Sequence, residues 1–276
     1  MIVDERTGGR VADQTPPALE HLDEIARSAE GKRLAVFLDY DGTLTPIVAR
    51  PELAILAEET RVTVRELASL CKVAVVSGRD RADVEKLVGL DTVFYAGSHG
   101  FDIAGPGGCG MQHEEGVKCE PALRQAEQEL QKRLTGIGGA RVEGKKFAVA
   151  VHYRLVAEPD VPKVKRIVDE VAAAHPDLRQ TGGKKIVELR PRIEWDKGKA
   201  VLWLLAALDL DGPDVLSVYL GDDLTDEDAF AVLRGRGLGI QVGPSRHPTQ
   251  ARYVVRDPAE VRLFLERLID LLRSRG

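Results

Sequence analysis

Leu34-Ala35-Val36-Phe37-Leu38-Asp39-Tyr40-Asp41-Gly42-Thr43-Leu44-Thr45-Pro46 is the stretch that decides the fold. Five apolar residues in a row predict a strand covered on both faces, as in a parallel sheet. The run ends at two aspartates one residue apart, and Gly42 permits a sharp turn there. The pattern recurs outward from this stretch. A helical stretch at 56–70 leads to Val73-Ala74-Val75-Val76 and then Ser77-Gly78-Arg79. Another, at 81–88, leads to a strand at 92–96 and then Gly97-Ser98-His99-Gly100. Helix 197–208 leads to strand 215–220 and Gly221-Asp222-Asp223, and helix 226–234 leads to strand 239–242. Strand 253–255 and a helix over 258–273 close the chain. Strands alternating with helices predict an α/β domain with right-handed crossovers.

Between 105 and 192 the grammar changes. Gly105-Pro106-Gly107-Gly108 breaks the chain, and helices at 120–134 and 160–174 alternate with strands at 140–144, 147–153 and 184–189 joined by tight turns. This predicts a small α+β module inserted into an α/β core made of 18–104 and 193–276. Ala18 to Glu30 carry Leu19, Leu22 and Ile25 at helical spacing and predict a short helix. Residues 1–17 are polar, end in Pro16-Pro17, and are expected to be a mobile tail. Segment 141–192 holds twelve Lys and Arg against seven Asp and Glu, a net of +5 inside an acidic chain. A basic module on an acidic core suggests a small anionic ligand.

Composition excludes several classes. The 276 residues are 43% hydrophobic and 30% charged, which opposes a mostly disordered chain. Net charge is −5, whereas a general nucleic-acid binder leans basic to neutralise phosphates. No apolar run approaches the roughly 20 residues that span a bilayer, and the N-terminus has no apolar region of a signal peptide. Cys71, Cys109 and Cys119 make an odd count without a CxxC pair, so a reducing, cytoplasmic setting is expected. Cys109 and Cys119 read as ordinary thiols, with pairing or a shared metal as the alternative.

Polar clusters follow four strand ends, the edge where ligands bind in open α/β sheets. Asp39 and Asp41 beyond a buried strand are costly without a cation between them, although an isolated pair is more often a turn former. Gly221-Asp222-Asp223-Leu224-Thr225-Asp226-Glu227-Asp228 tips the balance toward a cation. Asp226, Glu227 and Asp228 also suit a helix N-terminus, and Thr225 with Asp228 has capping-box spacing. Neither accounts for Asp222 and Asp223. Mg²⁺ suits such a donor set, since it takes oxygen ligands and keeps waters. Ser77 with Gly78 and Arg79 could hold a phosphate oxygen or cap a helix. Lys197 could place an ammonium on a phosphate or be an exposed helix charge.

In this order DxDGT, Ser, Lys and GDD resemble the haloacid dehalogenase-type phosphatases. The resemblance implies a Rossmann-like core with an inserted cap at 105–192. It implies that Asp39 is the nucleophile that becomes an aspartyl-phosphate and that Asp41 is the general acid and base. It further implies that Asp39, the carbonyl of Asp41, and Asp222 hold Mg²⁺, that Ser77 and Lys197 hold phosphoryl oxygens, and that Asp223 and Asp226 orient metal-bound water or Lys197. The match covers most of 34–260. Further motifs are similar to the trehalose-6-phosphate phosphatases: Gly97-Ser98-His99-Gly100, His152-Tyr153-Arg154, Glu188-Leu189-Arg190-Pro191 and Asp196-Lys197-Gly198-Lys199-Ala200. That likeness implies sugar contacts from Glu143, Lys145, Arg154, Lys184 and Glu188, with Gly78, Arg79 and His99 also in the substrate site. It implies hydrolysis of trehalose 6-phosphate. A monomer is expected, with the trehalose-6-phosphate synthase as its partner in any association. Alternatives are a glucosyl- or mannosyl-3-phosphoglycerate phosphatase of the same architecture, or a silent sugar-phosphate-binding regulator.

Overall fold

A computed structural model describes residues 15–183, 185–244 and 248–274 of the 276-residue chain. By contact the chain divides into two units, 1–110 with 195–276, and 111–194.

The first unit is built on a parallel sheet. Its strands are β1 (Arg33–Leu38), β2 (Lys72–Val76), β3 (Phe94–Gly97) and β4 (Asp102–Ala104), then β5 (Gly110–Gln112) where the chain leaves the unit, and, after the second unit's β6 to β9, β10 (Val215–Gly221), β11 (Gly237–Val242) and β12 (Tyr253–Val255). The order is β12-β11-β10-β1-β2-β3-β4-β5. From β12 to β3 every neighbour is parallel, and β4 returns antiparallel to β3. β1, β2, β3, β10 and β11 are mostly apolar because both faces are covered. Leu34, Val36 and Leu38 share one face with Val73, Val75, Val218, Leu220 and Ile240. That face packs on Val64 and Leu67 of α2 (Glu58–Leu70) and on Phe264 and Leu265 of α9 (Pro258–Arg273). On the other face Tyr219 meets Phe230 of α8 (Glu227–Leu233) edge-on at 5.7 Å.

Register determines where the site lies. Leu38 is paired with Leu220, Val76 with Ala96, and Gly221 with Gln241. Asp39, Ser77, Ser98 and Asp222 therefore leave the sheet at one edge. The sheet grows from β1 through β2 on one side and through β10 on the other, so Asp39 and Asp222 flank the topological switch point, where ligands collect in such folds.

The second unit has an antiparallel sheet ordered β6-β7-β9-β8, from β6 (Arg141–Lys145), β7 (Ala148–His152), β8 (Leu178–Gly183) and β9 (Ile186–Pro191). Val149, Val151, Leu178, Val187 and Leu189 pack with Leu123, Ala126 and Leu130 of α5 (Glu120–Leu134) and with Val164, Val168 and Val171 of α6 (Val161–Ala174). By alternation, the opposite face carries Glu143, Lys145, His152, Glu188 and Arg190.

Some expectations change. Residues 15–17 of the expected tail are held: Pro16 O accepts from Val254 N at 3.0 Å, and Pro17 bridges Val254 in parallel. Residues 1–14 of that tail lie outside the described residues. The expected helix over 18–30 is interrupted. Ala18–Glu20 form a 3-10 turn, and α1 (Leu22–Ala29) starts after His21, whose φ of −117° and bond from Nδ1 to Pro17 O at 2.9 Å break the ladder. Gly144 lies in β6, one residue before its end, and a Cβ there would run into the Glu127 carboxylate of α5 at 2.4 Å.

No helix among the described residues is long and apolar enough to cross a membrane.

Candidate active site

Asp39 follows β1 and is 4% exposed; Lys197, the first residue of α7 (Lys197–Ala207), is 3% exposed; Asp226 is fully buried. Lys197 Nζ donates to Asp39 Oδ1 and to Asp226 Oδ1, both at 2.7 Å. Burial alone would lower the ammonium, but Asp226 and Asp39 outweigh it and hold it above its ordinary range. Asp226 is saturated: Oδ1 also accepts from Tyr219 Oη at 2.6 Å, and Oδ2 accepts from the backbone N–H groups of Asp222 and Asp223. It is therefore a bracket for Lys197 and for the turn after β10. The Asp223 carboxylate accepts from Leu224 N at 2.6 Å and closes a capping box with Asp226. The box expected between Thr225 and Asp228 thus falls two residues earlier, where the chain leaves β10.

Asp39, Asp222 and Asp226 each offer a carboxylate oxygen within 4.8 Å of the others. Asp222 Oδ1 is buried and has no hydrogen-bond partner. Burial, and next the charge of Asp226, push the Asp222 carboxyl up to about 7. Burial lifts Asp39 well above the carboxylate range, with Lys197 opposing and Asp226 and Asp222 adding to the rise. Crowded, desolvated carboxylates with an orphan oxygen are what a bound cation would relieve. An all-oxygen donor set matches a hard divalent cation. Gly42, at φ +89°, is shaped for the same purpose. A Cβ there would stand 2.2 Å from Asp222 Oδ2, so only glycine lets this carboxylate lie against the loop after Asp39.

Asp41 is oriented differently. Its carboxylate is forked by Arg79, with Nε to Oδ2 at 2.7 Å and Nη2 to Oδ1 at 2.8 Å. Ser77 is 1% exposed, and its Oγ accepts from Arg79 N at 3.2 Å, so it closes the turn after β2. The cap of α3 (Arg81–Val88) falls to Asp80, not Ser77. The Ser77 turn is stitched to 97–100: His99 N donates to Ser77 O at 2.8 Å and Ser98 N to Arg79 O at 2.6 Å. Ser98 and His99 both have left-handed φ, 50° and 58°, a strain typical of functional turns. The His99 ring packs on Gly78, with Nε2 2.7 Å from where a Cβ would be.

In the second unit, Lys145 Nζ donates to Glu188 Oε1 at 2.8 Å, and Arg190 Nε donates to Glu188 Oε2 at 2.9 Å. His152 Nε2 lies 2.7 Å from Glu143 Oε2, and this bond, against the cost of burial, holds the Glu143 carboxyl below its usual range. Arg154 follows β7, and Lys184 lies outside the described residues.

The sequence reading missed Tyr219, Gln241, Arg190 and the pairing of Arg79 with Asp41. Gln241 Nε2 donates to Asp222 O at 3.0 Å and fixes that turn from β11. A Tyr and a Gln inside otherwise apolar strands are a signal, since a buried polar group demands a partner. Which partner it finds depends on register.

A parallel sheet with a carboxylate nest and a buried lysine at its switch point defines a hydrolase of the haloacid dehalogenase type. A solved structure of that class, from Bacteroides thetaiotaomicron, shares the fold at 15% identity with TM-score 0.62, over 86% of this chain and 99% of that one. The chain belongs to the trehalose-phosphatase family, whose model matches residues 37–259. It is 42% identical over 270 residues to trehalose-phosphate phosphatase B of Arabidopsis thaliana, covering 94% of this chain and 72% of that protein. The C-terminal domain of the C. albicans trehalose-6-phosphate phosphatase superposes with TM-score 0.76 at 25% identity, covering 93% and 99% of the two chains. These matches do not favour a phosphoglycerate phosphatase or a silent regulator.

Proposed function

We propose that this chain is a Mg²⁺-dependent phosphatase that hydrolyses trehalose 6-phosphate to trehalose and phosphate. One observation carries the reading: Asp39, Asp222 and the Lys197–Asp226 pair converge at one sheet edge, with Asp222 Oδ1 buried and unpartnered. The family match and the names of the relatives support the substrate.

Asp39 attacks phosphorus through a carboxylate oxygen, and the bond to the sugar oxygen breaks as a bond to Asp39 forms. Asp41 delivers its proton to the departing alkoxide. It then takes a proton from the water that attacks the aspartyl-phosphate and frees Asp39. Lys197 and Ser77 hold phosphoryl oxygens, and Lys197 keeps Asp39 oriented. Asp39, the carbonyl of Asp41, and Asp222 would hold Mg²⁺, which supplies charge neutralisation between nucleophile and phosphoryl group. Asp226 fixes Lys197, and Asp223 fixes the turn carrying Asp222. Glu143, Lys145, Arg154, Lys184 and Glu188 take the sugar hydroxyls, with Gly78 and His99 at the phosphate turn. The chain acts in the cytoplasm as a monomer, and its three cysteines, free in the structure, stay reduced there.

The test is phosphate release across a panel of sugar phosphates, with and without Mg²⁺. Trehalose 6-phosphate is expected to be the best substrate, and chelation should remove activity. Mg²⁺ alone should also raise the unfolding temperature, because it relieves the buried carboxylates. Equal rates across the panel, or full activity in chelator, would refute the proposal.

Glu188→Ala is expected to lower kcat/KM for trehalose 6-phosphate by roughly 10²-fold, the cost of a charged hydrogen-bonding group and of leaving Lys145 and Arg190 without their partner. Turnover of an aryl phosphate should change by less than about 3-fold, since it has no sugar hydroxyls to lose. A parallel fall on both would assign Glu188 to folding instead.

A further inference from the structure

We infer that Arg79 is a positioning residue for the carboxylate of Asp41 and not a ligand of the phosphate. The inference rests on Asp41 being the proton donor of the proposed reaction.

The guanidinium is already committed. It forks Asp41 through Nε and Nη2, Nη1 donates to Asp83 Oδ2 at 2.9 Å, and Nη2 also donates to Pro51 O at 2.8 Å. Its plane lies over the Tyr40 ring at 5.3 Å, and its side chain is 10% exposed. Arginine has five N–H donors, and four bonds are in place. To fork a phosphate it would have to release Asp41. The anchors come from separate parts of the first unit: Asp83 from α3, Pro51 from the short turn at Pro51–Leu53, and Tyr40 from the loop after β1. Tyr40 is itself tied by Oη to Ala54 O at 2.7 Å. Such bracing fixes one direction for a carboxylate that is 39% exposed and otherwise free to sample rotamers. A proton donor must lie within hydrogen-bond reach of the leaving oxygen, and a small misplacement costs heavily.

The consequence is selective. Losing a well-placed acid matters most for basic leaving groups such as a sugar alkoxide and least for a nitrophenolate. The experiment measures kcat/KM for nitrophenyl, phenyl and alkyl phosphates in wild type, Arg79→Ala, Asp41→Asn and the double variant. In Arg79→Ala the rate is expected to fall more steeply with leaving-group basicity. The loss should be roughly 30- to 100-fold for the alkyl ester and within about 3-fold for the nitrophenyl ester. In the Asp41→Asn background, adding Arg79→Ala should change the phenyl ester by no more than about 2-fold, because Arg79 acts through Asp41. An equal loss on every ester, or a full additional loss in the double variant, would overturn the inference. Asp83→Asn serves if Arg79→Ala does not fold: it frees one anchor and should give a smaller loss, roughly 3- to 10-fold, on the alkyl ester alone. An unchanged leaving-group profile in that variant would count equally against the idea. A wild type inert toward every ester would instead sink the functional reading, a result visible before any variant is compared.

Discussion

Asp39→Asn abolishes turnover of every phosphate ester, by roughly 10⁴-fold or more, and leaves the chain folded. The amide has the carboxylate's shape but is a poor nucleophile, so no acyl-phosphate forms. Stability should not suffer. Burial, opposed by Lys197 and reinforced by the charges of Asp226 and Asp222, holds the Asp39 carboxyl well above its ordinary range, so keeping it ionised in the fold carries a cost. Replacing it by a neutral isostere removes that penalty, and Lys197 keeps Asp226 as a charged partner. Kinetics with an aryl phosphate and a thermal melt check both halves. Turnover within tenfold of wild type would remove Asp39 as the nucleophile, and a melt that loses cooperativity would overturn the claim that the fold is indifferent to the change.

Lys197→Met has the largest expected effect on stability. The ammonium is the cation that faces both Asp39 and Asp226 at 2.7 Å, and its side chain is 3% exposed. Deleting it strands two buried carboxylates, and breaking such a pair costs about 3–5 kcal/mol. For a chain of this size that is a fall on the order of 10 °C in Tm. Activity should vanish with it, since the phosphoryl group loses a positive contact. Divalent cation should restore part of the lost stability, because it supplies charge to the same oxygens. A melting temperature within 2 °C of wild type would mean that the lysine does not balance the nest.

Much of this was legible in the chain. The apolar runs at β1, β2 and β10, each ending in Asp or Ser, specify the parallel sheet and its productive edge, because double-sided burial demands continuous apolar character. What lay beyond local pattern were contacts set by register. Nothing near Tyr219 announces Asp226, and Arg79 sits beside Ser77 in sequence but is tied to Asp41, across 38 residues. Short polar strands were also hidden: β4 and β5 have three residues each, too few for a periodic signal. The break at His21 had no marker except Pro17, four residues before it.

Pro16 and Pro17 lie along β12, the outermost strand of the first unit's sheet, and cover the N–H of Val254. Proline has no N–H to offer a further neighbour. The segment therefore acts as a selvedge: it finishes the weave and gives the next molecule little to stitch to. A protein begun at Ala18 would fold the same site yet present a raw margin, and it should self-associate at concentrations where the longer chain stays dispersed.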